Sequence, residues 1–546
     1  MKKHKFSALF LIIPLFIIGW GIFNVYYFNI FYSRAVDPEY PYLLNGLNVA
    51  LLEFSRIGHF DHPGTPFQVY CGLIIRITHL LTGKDAIAQD VFNRPDYYLN
   101  AINISLFILY AVLCFFIARI GRKREIKTWH ILILQSGVLL NSLMLWLFCR
   151  VMVERMLVVV AFLFIVVYLL YGYKNRNLLK FAIWSGVIMG MGMATKFNFL
   201  PIIILPFFLI HSNKNRCIYA ATGVTSFFFF LLPIIKRFNE YKKFITAIAT
   251  HDGFYGEGAK RMFDPSRMKA GFFQIFETAP ELTLLIFTII AALFLAFLFK
   301  KKTGTNKQIV LFIGMLFIIV FQIIMVSKHF KESYILPLVL MYPLFLFLLD
   351  DFFQRIGSHK KWTLIPVILV ITVCIGFTIK HTIIHIKSSK ENMSQSELMV
   401  QFASNHIPQK SLWFVEPTWM SAPFVENGIV YGLCYSYYTY KYKSELININ
   451  PNIITYRSED LVHFWRMHPI PVDSMVVAKN PIYLYTCPGR KTGVLMEALD
   501  KAAQRNNVTL SIDTIFSNNK TSSHFIVVQN PNSQKEWRID EFISVE

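Results

Sequence analysis

The feature that most constrains this chain is a succession of apolar runs, each close to the length of a bilayer crossing. A transmembrane helix needs about 20 apolar residues. Clear runs lie at 7–29, 97–119, 129–149, 151–171, 217–235, 281–299, 308–327, 333–349 and 363–380. The stretch 178–210 is too long for one upright helix at about 1.5 Å per residue and short for two. Lys196 interrupts it near the middle. Composition agrees with a membrane chain: 55% of residues are hydrophobic and only 16% charged. A soluble domain is about a quarter charged.

Basic clusters decide how the runs are threaded, because cytoplasmic loops hold the excess of Lys and Arg. If 178–210 crosses twice and turns at Lys196, then Lys2–Lys5, Arg119–Lys127, Lys174–Lys180, Lys214–Arg216, Lys300–Lys307 and Arg355–Lys361 share one side. A single crossing puts Lys300-Lys301-Lys302 and everything after it on the other side. The two-pass threading predicts about eleven spans, a cytoplasmic N-terminus and an extracytoplasmic C-terminal region. The opening Met1-Lys2-Lys3-His4-Lys5 before Phe6–Phe28 imitates a secretory signal. Its apolar run is too long and lacks a small-residue cleavage site, which predicts a retained anchor.

This threading leaves outer segments at 30–96, at Arg150–Arg155, at 236–280 and at Lys328–Tyr334. Residues 67–82 are apolar but short and contain Arg76 and His79; they read as an interfacial helix. From about residue 386 long apolar runs stop. The expected fold is a mainly α, polytopic helical bundle over 1–385, with outer loops 30–96 and 236–280. A soluble α/β or α+β domain follows over 386–546. Within it, helical patterns fall at 391–405 and 492–505, and strand patterns at 411–416, 481–486, 508–515 and 524–529. Trp413, Trp419 and the Tyr435–Tyr442 cluster suit either a stacking face for sugars or a core.

The net charge of +21 would suggest nucleic acid in a soluble protein, but no nucleic-acid motif is present. The seven Cys form no CxxC and no Cys/His ligand spacing, so a disulfide framework or a zinc site is unsupported. Two local patterns carry chemistry. The first is Asp37-Pro38-Glu39, followed by Asp61-His62-Pro63-Gly64-Thr65-Pro66, just beyond the first span. Acids beside apolar spans are costly and count as candidate functional groups. The second is positive charge on the wrong side of the membrane: Lys196, Lys328, Lys331, Arg150 and Arg155. Snorkelling to lipid headgroups accounts for Lys242 and Lys243. It accounts less well for a single lysine inside apolar sequence, as in Ala194-Thr195-Lys196-Phe197, which suits a phosphate clamp. One carboxylate as general base, cations on a leaving phosphate and a bilayer groove for a lipid tail together suit glycosyl transfer from a lipid-phosphate sugar.

On these residues the chain resembles the GT-C superfamily of membrane glycosyltransferases, in particular bacterial relatives of the protein O-mannosyltransferases and aminoarabinose transferases. Asp37-Pro38-Glu39 is similar to the acidic pair of their first outer loop. Asp61–Pro66 loosely matches a His-Pro-Pro-like element, with Gly64 in place of the second Pro. Gly190–Lys196 matches a Gly-rich span ending in Thr-Lys. Lys328–Tyr334 with Pro337 matches a basic turn leading into Tyr-x-x-Pro. The resemblance implies Asp37 as catalytic base and Glu39 as the residue that orients the acceptor or assists a metal. It implies acceptor or donor contacts from His62, Arg150 and Glu154, and a donor-phosphate site made by Lys196, Lys328, Lys331 and Tyr334. It also implies a polyprenyl-phosphate-linked sugar as partner at the outer face of a plasma membrane; some members use a divalent metal ion. A lipid or polysaccharide transporter (flippase) would also need outer cations and acids. A non-catalytic receptor acting through the C-terminal module would tolerate changes at Asp37.

Overall fold

The structure is a computed structural model. It describes residues 7–535 except 35, 62, 141–142, 300–305, 357–364, 409–410, 416–421, 423, 437–439, 459–460, 487–491, 519 and 521–522. The expectations for His62, Trp419 and the Lys300–Lys302 cluster fall outside the described residues. Among the described residues, nine helices are long and apolar enough to cross a membrane. They are Ala8–Tyr27, Pro95–Lys123, Glu154–Asn175, Leu178–Thr195, Asn213–Thr250, Glu281–Leu298, Asn306–Lys328, Glu332–Ile356 and Ile365–His406.

Two expected crossings are not straight helices. Instead of one span over 129–149 there is a helix Thr128–Gln135, a 3-10 turn Ser136–Val138 and a short helix Met144–Leu147. The break falls at Ser136-Gly137, where the Ser136 hydroxyl turns back to the Ile133 carbonyl at 2.7 Å. Ser and Gly favour such departures from the α-helix. After Lys196 the chain runs through 3-10 turns Phe197–Phe199 and Ile202–Ile204 into a short helix Leu205–Leu209. Pro201 and Pro206 remove backbone donors there and prevent one continuous helix. The turn expected at Lys196 is present: its φ of −157° and ψ of 133° are extended, and they end the helix Leu178–Thr195.

The chain folds into two units. The first comprises residues 1–28, 59–70 and 102–386. Within it the helix Leu178–Thr195 lies tightly against Asn213–Leu231. The approach requires glycine: a Cβ on Gly190 would stand 2.6 Å from the Gly223 carbonyl oxygen and 2.7 Å from the Phe227 nitrogen. Small residues at a crossing let two helix backbones come together in lipid. The loop expected at 236–280 is largely helical. Asn213–Leu231 continues through a 3-10 turn at Leu232–Arg237 into Phe238–Thr250, and Pro265–Thr278 follows with Asp264 as its N-cap.

The second unit comprises residues 29–58, 71–101 and 387–546. Its sheet has seven strands: β1 Leu412–Phe414, β2 Ile453–Ser458, β3 Leu461–Phe464, β4 His468–Pro471, β5 Ile482–Thr486, β6 Ser511–Asn518 and β7 Ser523–Gln529. Their order is β4-β3-β2-β1-β5-β7-β6. β1 is parallel to β2 and β5; the other pairings are antiparallel. Met399, Ala403 and Ile407, at the end of the long helix, pack on Tyr483, Tyr485, Phe525 and Val527. Trp413, half-buried, packs against this core, edge-on to Phe424 at 4.9 Å. Tyr442 is buried with its hydroxyl donating to Asn48 Oδ1 at 2.6 Å, which favours the core reading for that end of the tyrosine cluster.

Residues 29–58 are integral to this unit. The helix Glu39–Ala50 is buried throughout and packs on Val425–Cys434. A Cβ on Gly428 would meet the Tyr40 ring at 2.5 Å, so only glycine admits that contact. Asn45 Nδ2 donates to the Tyr435 carbonyl at 3.1 Å, and Ile57 bridges to Ser436.

Candidate functional site

In the first unit, four chain segments meet around a cavity of about 500 Å3. One is the C-terminal end of Leu178–Thr195 with Lys196; another is the end of Asn306–Lys328 with the turn that follows. The third is the end of Phe238–Thr250, and the fourth is the loop containing Asp61. Phe197, Phe244, Ile245, Phe321, Ile324 and Met325 give the cavity an apolar wall. Asp61, Lys196, Asn198, Lys328, His329 and Tyr334 bring polar groups to it.

Lys196 is the buried cation of this site, only 6% exposed. Its backbone N–H donates to the Gly192 carbonyl at 3.0 Å, closing the last helical turn. Its ammonium forms an ion pair with Glu154 Oε1 and lies 4.9 Å from the centre of the Tyr334 ring. The ring is held by its own backbone: the Tyr334 carbonyl accepts from Asn198 Nδ2 at 3.0 Å and from Gln322 Nε2 at 3.0 Å. An ammonium between a carboxylate and an aromatic face is positioned rather than free to snorkel. The Asp61 loop is pinned to the same turn, since the Gly64 N–H donates to the Thr195 carbonyl at 3.2 Å.

The other two lysines are engaged differently. Lys328 Nζ donates to the carbonyls of Ile248 at 2.8 Å and Ala249 at 2.6 Å. It satisfies acceptors that the end of Phe238–Thr250 leaves open, as a cation does at a helix C-terminus. Lys331 donates to the Tyr255 hydroxyl and sits 4.6 Å from that ring's centre. Lys196, Lys328 and Tyr334 thus line one cavity, with Lys331 in the turn that carries Tyr334.

Glu154 is the counter-ion of Lys196. It does not pair with Arg155 across the turn, because the two side chains go separate ways. Arg155 is 1% exposed, donates to Asn103 Oδ1 and to the carbonyls of Phe148 and Arg150 at 3.2 Å, and stacks over Phe107 at 4.6 Å. It holds the broken helix region against Pro95–Lys123. Arg150 is half-buried at that turn.

Two titratable groups here were not singled out as site residues by the sequence. His59 is buried, and its pKa is pushed down to about 4 by burial and then by Lys196, with Glu154 acting in the opposite sense. Its imidazole is therefore neutral at neutral pH. Burial pushes the Asp61 carboxyl up to about 6. The one available sequence signal was the Asp61-His62-Pro63 motif itself. Asn198 and Gln322 had no signal, since their contribution depends on which turns converge; His329 lay within the basic turn Lys328–Tyr334.

Asp37 and Glu39 belong to the second unit. Asp37 is half-buried, and its negative charge contributes, after burial, to the raised pKa of the Tyr431 phenol. Glu39 is 1% exposed and opens the helix Glu39–Ala50. Among the described residues no three His, Cys, Asp or Glu side chains converge as a metal-ligand set.

No protein-family model matches this chain. No curated protein matches it either. A solved structure that it resembles is the crystal structure of ArnT from Cupriavidus metallidurans bound to undecaprenyl phosphate. The likeness covers 95% of this chain and 97% of that one at 10% identity, with a TM-score of 0.45. So loose a likeness does not bear on substrate or on individual residues.

Proposed function

We propose that this chain is a membrane glycosyltransferase of the GT-C type, which moves a sugar from a polyprenyl-phosphate donor to an acceptor hydroxyl at the outer membrane face. The observation that carries the reading is the cavity: an apolar wall meets a buried, oriented ammonium in a space of about 500 Å3. An isoprenoid phosphate has the matching chemistry, an apolar tail and an anionic head. Lys196 is the phosphate contact, Tyr334 and Glu154 fix its position, and Lys328 adds a second positive charge at the rim. Asp37, carried over from the resemblance, is the general base. It takes the proton of the acceptor hydroxyl as that oxygen bonds to the anomeric carbon. The bond from that carbon to the phosphate oxygen breaks with inversion, and the polyprenyl phosphate leaves with the bonding pair. Stabilising that developing charge is the part a positioned cation performs.

The test uses the full-length protein in nanodiscs with a polyprenyl-phosphate sugar and a mixed acceptor pool. Asp37→Asn is expected to lower transfer by about 100-fold or more, the scale of lost general-base catalysis. Polyprenyl-phosphate binding should persist. Normal transfer by a folded Asp37→Asn variant rejects that residue as the base. Failure of the wild-type protein to bind polyprenyl phosphate rejects the cavity assignment.

A further inference from the structure

The C-terminal module holds a separate cavity of about 330 Å3 that donor binding does not use. Ligand pockets start at about this size. One wall is aromatic. Trp413 and Val415 stand two residues apart, so they share a face at the end of β1. The Trp413 ring is half-buried, braced edge-on by Phe424 at 4.9 Å and flanked by Tyr483 at 6.2 Å. The other wall is polar. Glu426 lies in the first turn of Val425–Cys434, and its carboxylate is hydrogen-bonded to the Asn450 side chain. Asn450 is itself fixed: its side-chain oxygen accepts from the Asn452 N–H at 3.0 Å and its carbonyl from Trp465 Nε1 at 2.8 Å. Burial raises the Glu426 pKa, with its backbone and Asn450 hydrogen bonds opposing the rise.

These walls discriminate between ligand classes. A purely apolar ligand would desolvate Glu426 and Asn450 without satisfying the hydrogen-bonding capacity they keep beyond their mutual bond, which is unfavourable. An anionic ligand meets the Glu426 carboxylate. A pyranose ring presents what the pocket lacks: a C–H face for an indole, and hydroxyls that both donate and accept. We propose that this pocket is a saccharide-binding site for a neutral or amino sugar. One ring stacks on Trp413, its hydroxyls donate to Glu426, and Asn450 donates to a ring substituent. The site is independent of the donor-phosphate cavity and its assignment does not require the transferase reading.

Binding is measured by saturation-transfer NMR on the full-length protein in nanodiscs, with three probes: N,N′-diacetylchitobiose, the free diamine chitobiose, and digalacturonic acid. The first or second disaccharide is expected to bind in the millimolar range and the acidic dimer not to bind. Glu426→Gln, which preserves shape, should weaken binding at least tenfold, and Trp413→Phe at least threefold. If Trp413→Phe proves unfolded, Glu426→Gln alone decides. Absence of binding by both chitobiose probes overturns the proposal. So does unchanged affinity in Glu426→Gln, or acidic-dimer binding as tight as that of the others.

Discussion

Lys196 and Glu154 form a buried ion pair, and such a pair is worth little in net stability but a great deal when broken. Removing one partner leaves the other charge desolvated, at a cost of about 3–5 kcal/mol. Lys196→Met alone is therefore expected to lower thermal stability steeply, confounding any loss of donor binding. The double variant Lys196→Met/Glu154→Leu replaces the pair by apolar groups and should regain most of that stability. It should still fail to bind polyprenyl phosphate. Wild-type affinity in the double variant removes Lys196 from the phosphate site. A second residue-scale outcome concerns Asp61 and His59. Asp61 moves from 3.8 to about 6 on folding, so it contributes stability below its ordinary pKa that is lost as pH rises to about 6. His59 moves from 6.5 to about 4, so its contribution is present above 6.5 and lost as pH falls to about 4. The two slopes oppose each other across nearly the same window. Asp61→Asn leaves only the His59 slope. Its melting temperature should therefore rise with pH between 4 and 6 more steeply than that of the wild type. Parallel pH profiles would show that Asp61 does not hold a proton in the folded protein.

At the scale of elements, hydropathy found where apolar helices lie but not whether they are straight. A run such as 129–149 has the same hydropathy whether it forms one helix or three short pieces. The same holds for 197–209, where Pro201 and Pro206 set the geometry. In the C-terminal module β1, β5, β6 and β7 were legible as apolar or alternating runs. β2, β3 and β4 were not. β4 carries Pro469 and Pro471, which only a sheet edge tolerates; β4 is at that edge. The tight helix crossing gives a direct test. Gly190→Ala places a methyl group 2.6 Å from the Gly223 carbonyl oxygen, and backbone must move to admit it. The expected cost is about 1–3 kcal/mol, seen as a lower melting temperature in detergent. An unchanged melting temperature would mean that the two helices lie farther apart.

For the molecule as a whole, the distribution of Lys and Arg predicts an orientation. In a background with all seven native cysteines replaced, a single cysteine at Lys123 is expected to react with impermeant reagent only after the cytoplasmic side is opened. Cysteines at Glu257 and Gln504 should react from outside in intact cells. Labelling of Lys123 and Glu257 from the same side would overturn the threading and, with it, the placement of the cavity at the outer membrane face.

Amphipathic bookkeeping along the chain was enough to determine that this is a multi-pass helical membrane protein with a mixed C-terminal module, and to single out Lys196 as an anomalous cation. Those properties depend on local composition, which a bilayer reads residue by residue. The tertiary structure alone decided what each charge does. Lys196 pairs with Glu154, Lys328 closes the end of another helix, and Arg155 is held by Asn103 and an aromatic face. It likewise brought Asp61 and His59 into the same neighbourhood as Lys196. Partners separated by tens of residues along the chain are chosen by which helix ends meet, and no local pattern encodes that choice.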